Sequence, residues 1–152
     1  MPHDAVPPGR LSGRPRTLTI WAGRLLTAVA AAHLAFFLAT STEFVPDWLS
    51  GALWADIPLD APMPQAQAFF WQLVGSFAVP TALLGLLLSR FAREGRALPG
   101  YVTWTVAAWV TVCASTLEPS GFPVGLVPAA MLVTARLTAN GASRRPEGAV
   151  RR

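Results

Sequence analysis

His33, Gln72, Ser76, Ser115 and Glu118 are the polar side chains of this sequence whose types and spacing suit chemistry. His33 interrupts LLTAVAAAHLAFFLAT, Leu25–Thr40, a stretch otherwise apolar enough to sit in lipid. Gln72 and Ser76 stand one helical turn apart. Thr111, Ser115 and Glu118 fall at i, i+4 and i+7, a single helical stripe that ends in a carboxylate. Imidazole titrates near neutral pH, and a carboxylate beside it favours the charged ring. A pocket built from these five would move a proton or hold a cationic or hydroxylated ligand. The competing role for His33 is structural, a single hydrogen bond to a Ser, Thr or backbone carbonyl of another helix that tightens the packing.

Composition says what must position them. The 152 residues are 53% hydrophobic and 13% charged, with a mean hydropathy of +0.43, whereas soluble domains are about one-quarter charged. Charge is nearly absent from four segments, residues 18–39, 69–88, 98–117 and 122–137. A helix crosses a hydrocarbon layer of ~30 Å with roughly 20 residues, so the expected fold is all-α, an integral membrane four-helix bundle of up-down topology. The last segment is marginal, spanning only ~24 Å. The first outlasts the ~7 to 15 apolar residues of a signal peptide and is expected to be a retained helix.

All twelve basic residues are arginine. Arg10, Arg14 and Arg16 precede the first segment, Arg90, Arg93 and Arg96 follow the second, and Arg136, Arg144, Arg145, Arg151 and Arg152 follow the fourth. Up-down threading puts these on one side, with Glu43, Asp47, Asp56, Asp60 and Glu118 on the other. The positive-inside rule then places both termini in the cytoplasm of a multi-pass plasma-membrane protein. Arg24 sits near the inner interface, where it can snorkel. Residues 1–17 and 139–152 have the composition of disordered tails around a transmembrane domain of residues 18–138. The outer loop, residues 43–68, contains PDWLSGALW, where Pro46 suits a first helical turn and Trp48, Leu49, Ala52 and Leu53 share a face. This short helix is expected either to lie in the outer interface or to cap the bundle.

Depth along the expected helices brings the polar residues to one level. At 1.5 Å per residue His33 lies ~9 Å below the outer end, Gln72 and Ser76 ~5 to 10 Å, and Ser115 ~4 Å. Close helix approach in lipid relies on small residues. Gly23, Thr27, Ala31, Ala35 and Ala39 recur every fourth position as a packing seam. Ala78, Ala82, Gly85 and Ser89 form a second stripe, and Ala107, Ala108, Thr111, Ala114 and Ser115 a third. Pro80 and Pro128 are expected to bend their helices.

Several mechanisms are excluded or disfavoured. The lone Cys113 offers no dithiol. One intramembrane histidine cannot supply a bis-histidine haem, although a His and Met pair is left open. Neither a zinc-spaced Cys and His set nor a Walker, dinucleotide or serine-elbow motif occurs, so no metal or cofactor is expected. The first segment lacks the carboxylate of the smallest proton-coupled exporters. A pI near 11.0 reflects arginine anchoring to anionic headgroups, and the tails lack the interleaved aromatics of a nucleic-acid surface.

WAGRLL and His33 in the first segment, FFWQLVGSFAVP and GLLL in the second, and EPSGF followed by VPAAMLV in the last hairpin together resemble an uncharacterised family of small bacterial four-helix membrane proteins, common in actinobacteria. The resemblance covers about residues 20–138. It implies the four-helix membrane fold and carries no activity or catalytic residue. Two function classes follow: a non-enzymatic interaction or accessory subunit with an outward-facing small-molecule pocket, or a membrane oxidoreductase or isomerase holding a quinone or other lipophilic substrate against His33 and the tryptophans. The partners expected are the lipid bilayer and either a second copy or another membrane protein, without nucleic acid.

Overall fold

A computed structural model describes residues 10–58, 60–117 and 121–143. Within them the chain is all-α, with helices α1 (Gly13–Thr40), α2 (Val45–Leu49), α3 (Gln65–Gln72), α4 (Ala78–Arg93), α5 (Gly100–Thr116) and α6 (Phe122–Ser143), and no β-strand. The expected disordered lead-in is ordered from Arg10: Leu11 N–H donates to Gly95 O at 2.7 Å and α1 begins at Gly13.

The second apolar segment is not one helix. It divides into α3 and α4 around residues 73–77, and Pro80 explains where. Proline has no N–H for the carbonyl of Ser76 and its ring crowds that group, which disfavours a continuous helix through Ser76. Pro80 instead occupies the first turn of α4, where a missing N–H is no loss. The expected kink at Pro80 is therefore a break one turn upstream. At the other end α4 stops at Gly95, whose φ of 71° is left-handed. Gly95 N–H reaches Ala92 O and Arg96 N–H reaches Phe91 O, which closes the last turn.

Two of the four expected spans, α1 and α6, are by themselves long and apolar enough to cross a membrane among the described residues. The division at residues 73–77 leaves α4 with 16 residues, and α5 ends at 17. Conversely, the last segment, expected to be the shortest, continues to Ser143 as a 22-residue helix with Pro128 inside it.

Cross-helix contacts give the directions. Arg16 meets Ala92, Ser89 meets Ile20 and Thr27 meets Ala82, so α1 and α4 are antiparallel. Gly125 lies against Val110 and Arg136 against Leu98 and Gly100, so α5 and α6 are antiparallel too. α1 packs chiefly on α4 and α6, and α5 chiefly on α6. One apolar core draws on all four: Ala22 and Leu26 of α1, Leu88 of α4, Val106 and Val110 of α5, and Ala129 and Leu132 of α6.

Candidate functional site

His33 projects from α1 onto the broken end of α3, where its Nε2–H donates to the carbonyl oxygen of Gln72 at 2.8 Å. In an unbroken helix that carbonyl would accept from Ser76 N–H. Here Ser76 N–H turns to Leu73 O, and Gly75 N–H to Phe70 O. Gln72 O is thus left without its helical donor, and the imidazole replaces it. A carbonyl only accepts, so the proton sits on Nε2. Phe37, one turn along, packs on the ring with centroids 4.6 Å apart.

The other expected members do not gather around this bond. Ser76 Oγ donates to Leu73 O at 2.7 Å and accepts from Ala78 N–H at 3.2 Å, stitching the α3–α4 turn. The Gln72 side chain is exposed. Ser115 Oγ returns to Val112 O of its own helix at 2.9 Å. Glu118 lies outside the described residues. Among the described residues no group of three His, Cys, Asp or Glu forms a metal-holding set.

The segment joining α1 to α3 is tied to α3 beside this point. Trp48 Nε1–H donates to Ala66 O at 2.7 Å, and Phe44 stacks on Phe69 with centroids 5.0 Å apart. Leu49 and Trp54, 84% and 90% exposed, point away from the helices. The face expected to unite Trp48, Leu49, Ala52 and Leu53 is thus split.

The packing seam is shorter than its sequence pattern. Gly23 and Gly85 meet where α1 crosses α4: a Cβ on Gly85 would stand 2.5 Å from Gly23 O and from Thr27 Oγ1. Two hydroxyls cross this contact in opposite directions. Thr27 Oγ1 donates to Ala82 O at 3.3 Å as well as to Gly23 O at 3.0 Å, and Ser89 Oγ donates to Ile20 O at 3.1 Å. Past Gly23 the buried track of α1 runs through Leu26 and Ala30, and Ala31 and Ala35 face outward. The physical reason is period: a repeat of four on a helix of 3.6 residues per turn drifts around the axis. On α5, Ala108, Thr111 and Ser115 of the third stripe are likewise exposed.

The arginine end carries features that residue spacing did not single out. Arg16 Nε–H and Nη2–H donate to Ala92 O at 3.1 Å and Arg93 O at 2.7 Å, capping the last carbonyls of α4. Arg136 Nη1–H donates to Leu98 O at 3.2 Å, its guanidinium filling the space that Gly100 leaves open. Glu94 pairs with Arg90 at 3.0 Å and Arg96 at 3.6 Å. The hydrogen bond from Arg90, followed by the charges of both arginines, holds this carboxyl below its ordinary value. Two clefts open here. A small one, about 30 Å³, lies among Thr19, Leu98, Thr103, Leu132 and Arg136, and a larger one, about 240 Å³, runs between α1 and α4 past Arg24 and Arg93. Their signal in the sequence was faint, since only Arg24 and, at the end of its segment, Arg136 stand inside apolar segments.

Residues 17–139, nearly the whole described chain, match a family of unknown function, DUF6463. The chain belongs to that family. No curated protein and no solved structure matches it. The matched region begins within the first turns of α1 and ends near the close of α6, so the family unit is the helical assembly itself.

Proposed function

We propose that this chain is a multi-pass protein of the bacterial plasma membrane, a four-span bundle of α1, α3 with α4, α5 and α6, which acts as a non-enzymatic interaction or accessory subunit. The observation that carries this is the character of the lateral surface. Trp21, Phe36, Leu83, Leu86, Trp104, Val112, Val127 and Leu137, distributed over all the long helices, are each at least 40% exposed. A soluble monomer rarely exposes contiguous apolar patches beyond a few hundred Å². Hydrocarbon is a solvent that suits such a surface, and α1 and α6 have the length to cross it. The short α4 gains reach from α3, and the hydroxyl and imidazole bonds across the break supply partners to backbone groups that lipid would leave unpaired.

Charge distribution supports an orientation with both termini cytoplasmic. Arg10, Arg16, Arg90, Arg93, Arg96 and Arg136 collect at one end of the helices, and Glu43, Asp47, Asp56 and Asp60 lie in the segment joining the other ends. A binding role fits better than catalysis because the polar side chains of the expected pocket are spent on backbone: His33 on Gln72 O, Ser76 on Leu73 O and Ser115 on Val112 O. A reporter active only in the cytoplasm, fused after Arg152, is expected to work, and the same reporter inserted at Asp60 to be silent. The opposite pair of results would reverse the orientation, and activity at both sites would remove the membrane assignment.

A further inference from the structure

Arg24 is a cation in an apolar helix, exposed on its lateral face. It has no carboxylate within ion-pairing distance among the described residues; the Glu94 carboxylate is taken by Arg90 and Arg96. A charge in that position demands a counter-charge or a path to water. The 240 Å³ cleft in which it sits holds a second such cation, Arg93, with Thr27, Ala28, Ala31, Leu86 and Ser89.

Helical side chains lean toward the N-terminus of their own helix. α1 and α4 are antiparallel, so Arg24 leans down toward the arginine end while Arg93, at the last turn of α4, leans back up into the helices. Arg24 and Arg93 line the one cleft from the two helices that wall it. Arg24 is further held by Trp21, whose ring centroid is 5.0 Å from the guanidinium carbon, which covers its face and leaves its N–H edges for an acceptor. The backbone of Arg93 is fixed by Arg16 through its carbonyl. The hydroxyls of Thr27 and Ser89 are already donated across the glycine crossing, so the two cations are what the cleft offers an anion. Away from them the walls are Ala28, Ala31 and Leu86, an apolar groove whose small side chains leave room for a chain.

From this arrangement we infer that the cleft binds an anionic glycerophospholipid of the arginine-side leaflet, its phosphate between Arg24 and Arg93 and an acyl chain along Ala28 and Ala31. The inference rests on the membrane assignment above and adds to it a ligand class and a place. A phosphate presents the acceptor oxygens that two guanidinium forks match, and the groove beyond selects an amphiphile over a free anion.

The test is tryptophan quenching in nanodiscs of phosphatidylcholine that contain a minor fraction of phosphatidylglycerol, with bromine on the acyl chains of one lipid or the other. With each arginine near the headgroups contributing about fivefold, the parent is expected to show roughly 25-fold local enrichment of brominated phosphatidylglycerol beside Trp21. Arg24→Gln or Arg93→Gln should lower it to about fivefold, and the double variant should abolish it. Trp21→Phe should remove the responding signal, and unchanged helical circular dichroism separates loss of binding from loss of fold. Quenching by both brominated lipids in proportion to their mole fractions would overturn the site while leaving the membrane assignment intact. No quenching by either would overturn both. Loss of the enrichment on adding millimolar inorganic phosphate would overturn the lipid in favour of a free anion.

Discussion

His33 gives its donor to a carbonyl that α3 cannot use, a bond of the kind its structural role calls for. A proton-moving pocket needs a second titratable group at the ring. Among the described residues, which do not include Glu118, the ring meets Gln72 O and the face of Phe37. An apolar replacement leaves that carbonyl unpaired, so His33→Leu is expected to cost ~1 to 2 kcal/mol, the scale of an interhelical hydrogen bond in lipid. His33→Gln, which keeps a donor, should recover most of it. Unfolding in mixed detergent micelles measures both, and a His33→Leu protein as stable as the parent would deny the bond any weight. What was legible here was depth: residue counting along the helices put His33 near the level of Gln72. What was not legible was the partner, because a backbone carbonyl freed by a helix break leaves no residue type to read.

At the scale of the helices, composition marked the apolar segments and their order, while their ends and breaks answered to backbone chemistry. Pro80 was visible as a helix disturbance, yet the same residue either bends a helix or begins one. The choice depends on whether the preceding turn finds other partners, as the donors of Ser76 and Gly75 do in Leu73 O and Phe70 O. The seam of α1 shows a similar division. Gly23 was identified by its size, but that Gly85 is its partner follows from the crossing of two helices and not from either repeat. The consequence is measurable. Gly85→Ala drives a Cβ against the backbone of Gly23 and is expected to destabilise by ~1 to 3 kcal/mol, whereas Ala35→Leu, on the outward face, should change stability by less than ~0.5 kcal/mol. Equal effects in a detergent unfolding series would mean that the tight crossing does not hold α1 to α4.

Over the described molecule, the main core cluster lies where α1, α4, α5 and α6 meet, and the neighbour relations run α4, α1, α6, α5. The sequence made four apolar segments and an alternating direction legible. It did not show that the first helix lies beside the last, since that depends on shape matching among several similar apolar faces. This adjacency bears on how the protein is made. A chain emerging from the ribosome completes the α1–α4 crossing once Ser89 and Ala92 have been added, but α5 then has its main partner still unsynthesised. Synthesis halted after Gly121 is therefore expected to yield a protease-sensitive product in which α5 is cut, and a separately expressed segment of residues 122–152 should restore resistance. A halted product as resistant as the full chain would place the stability in the first pair alone. Because α6 is the piece that covers α5, chains that stop before it are expected to leave an apolar flank open to proteases, and only those read through α6 to be sealed against them.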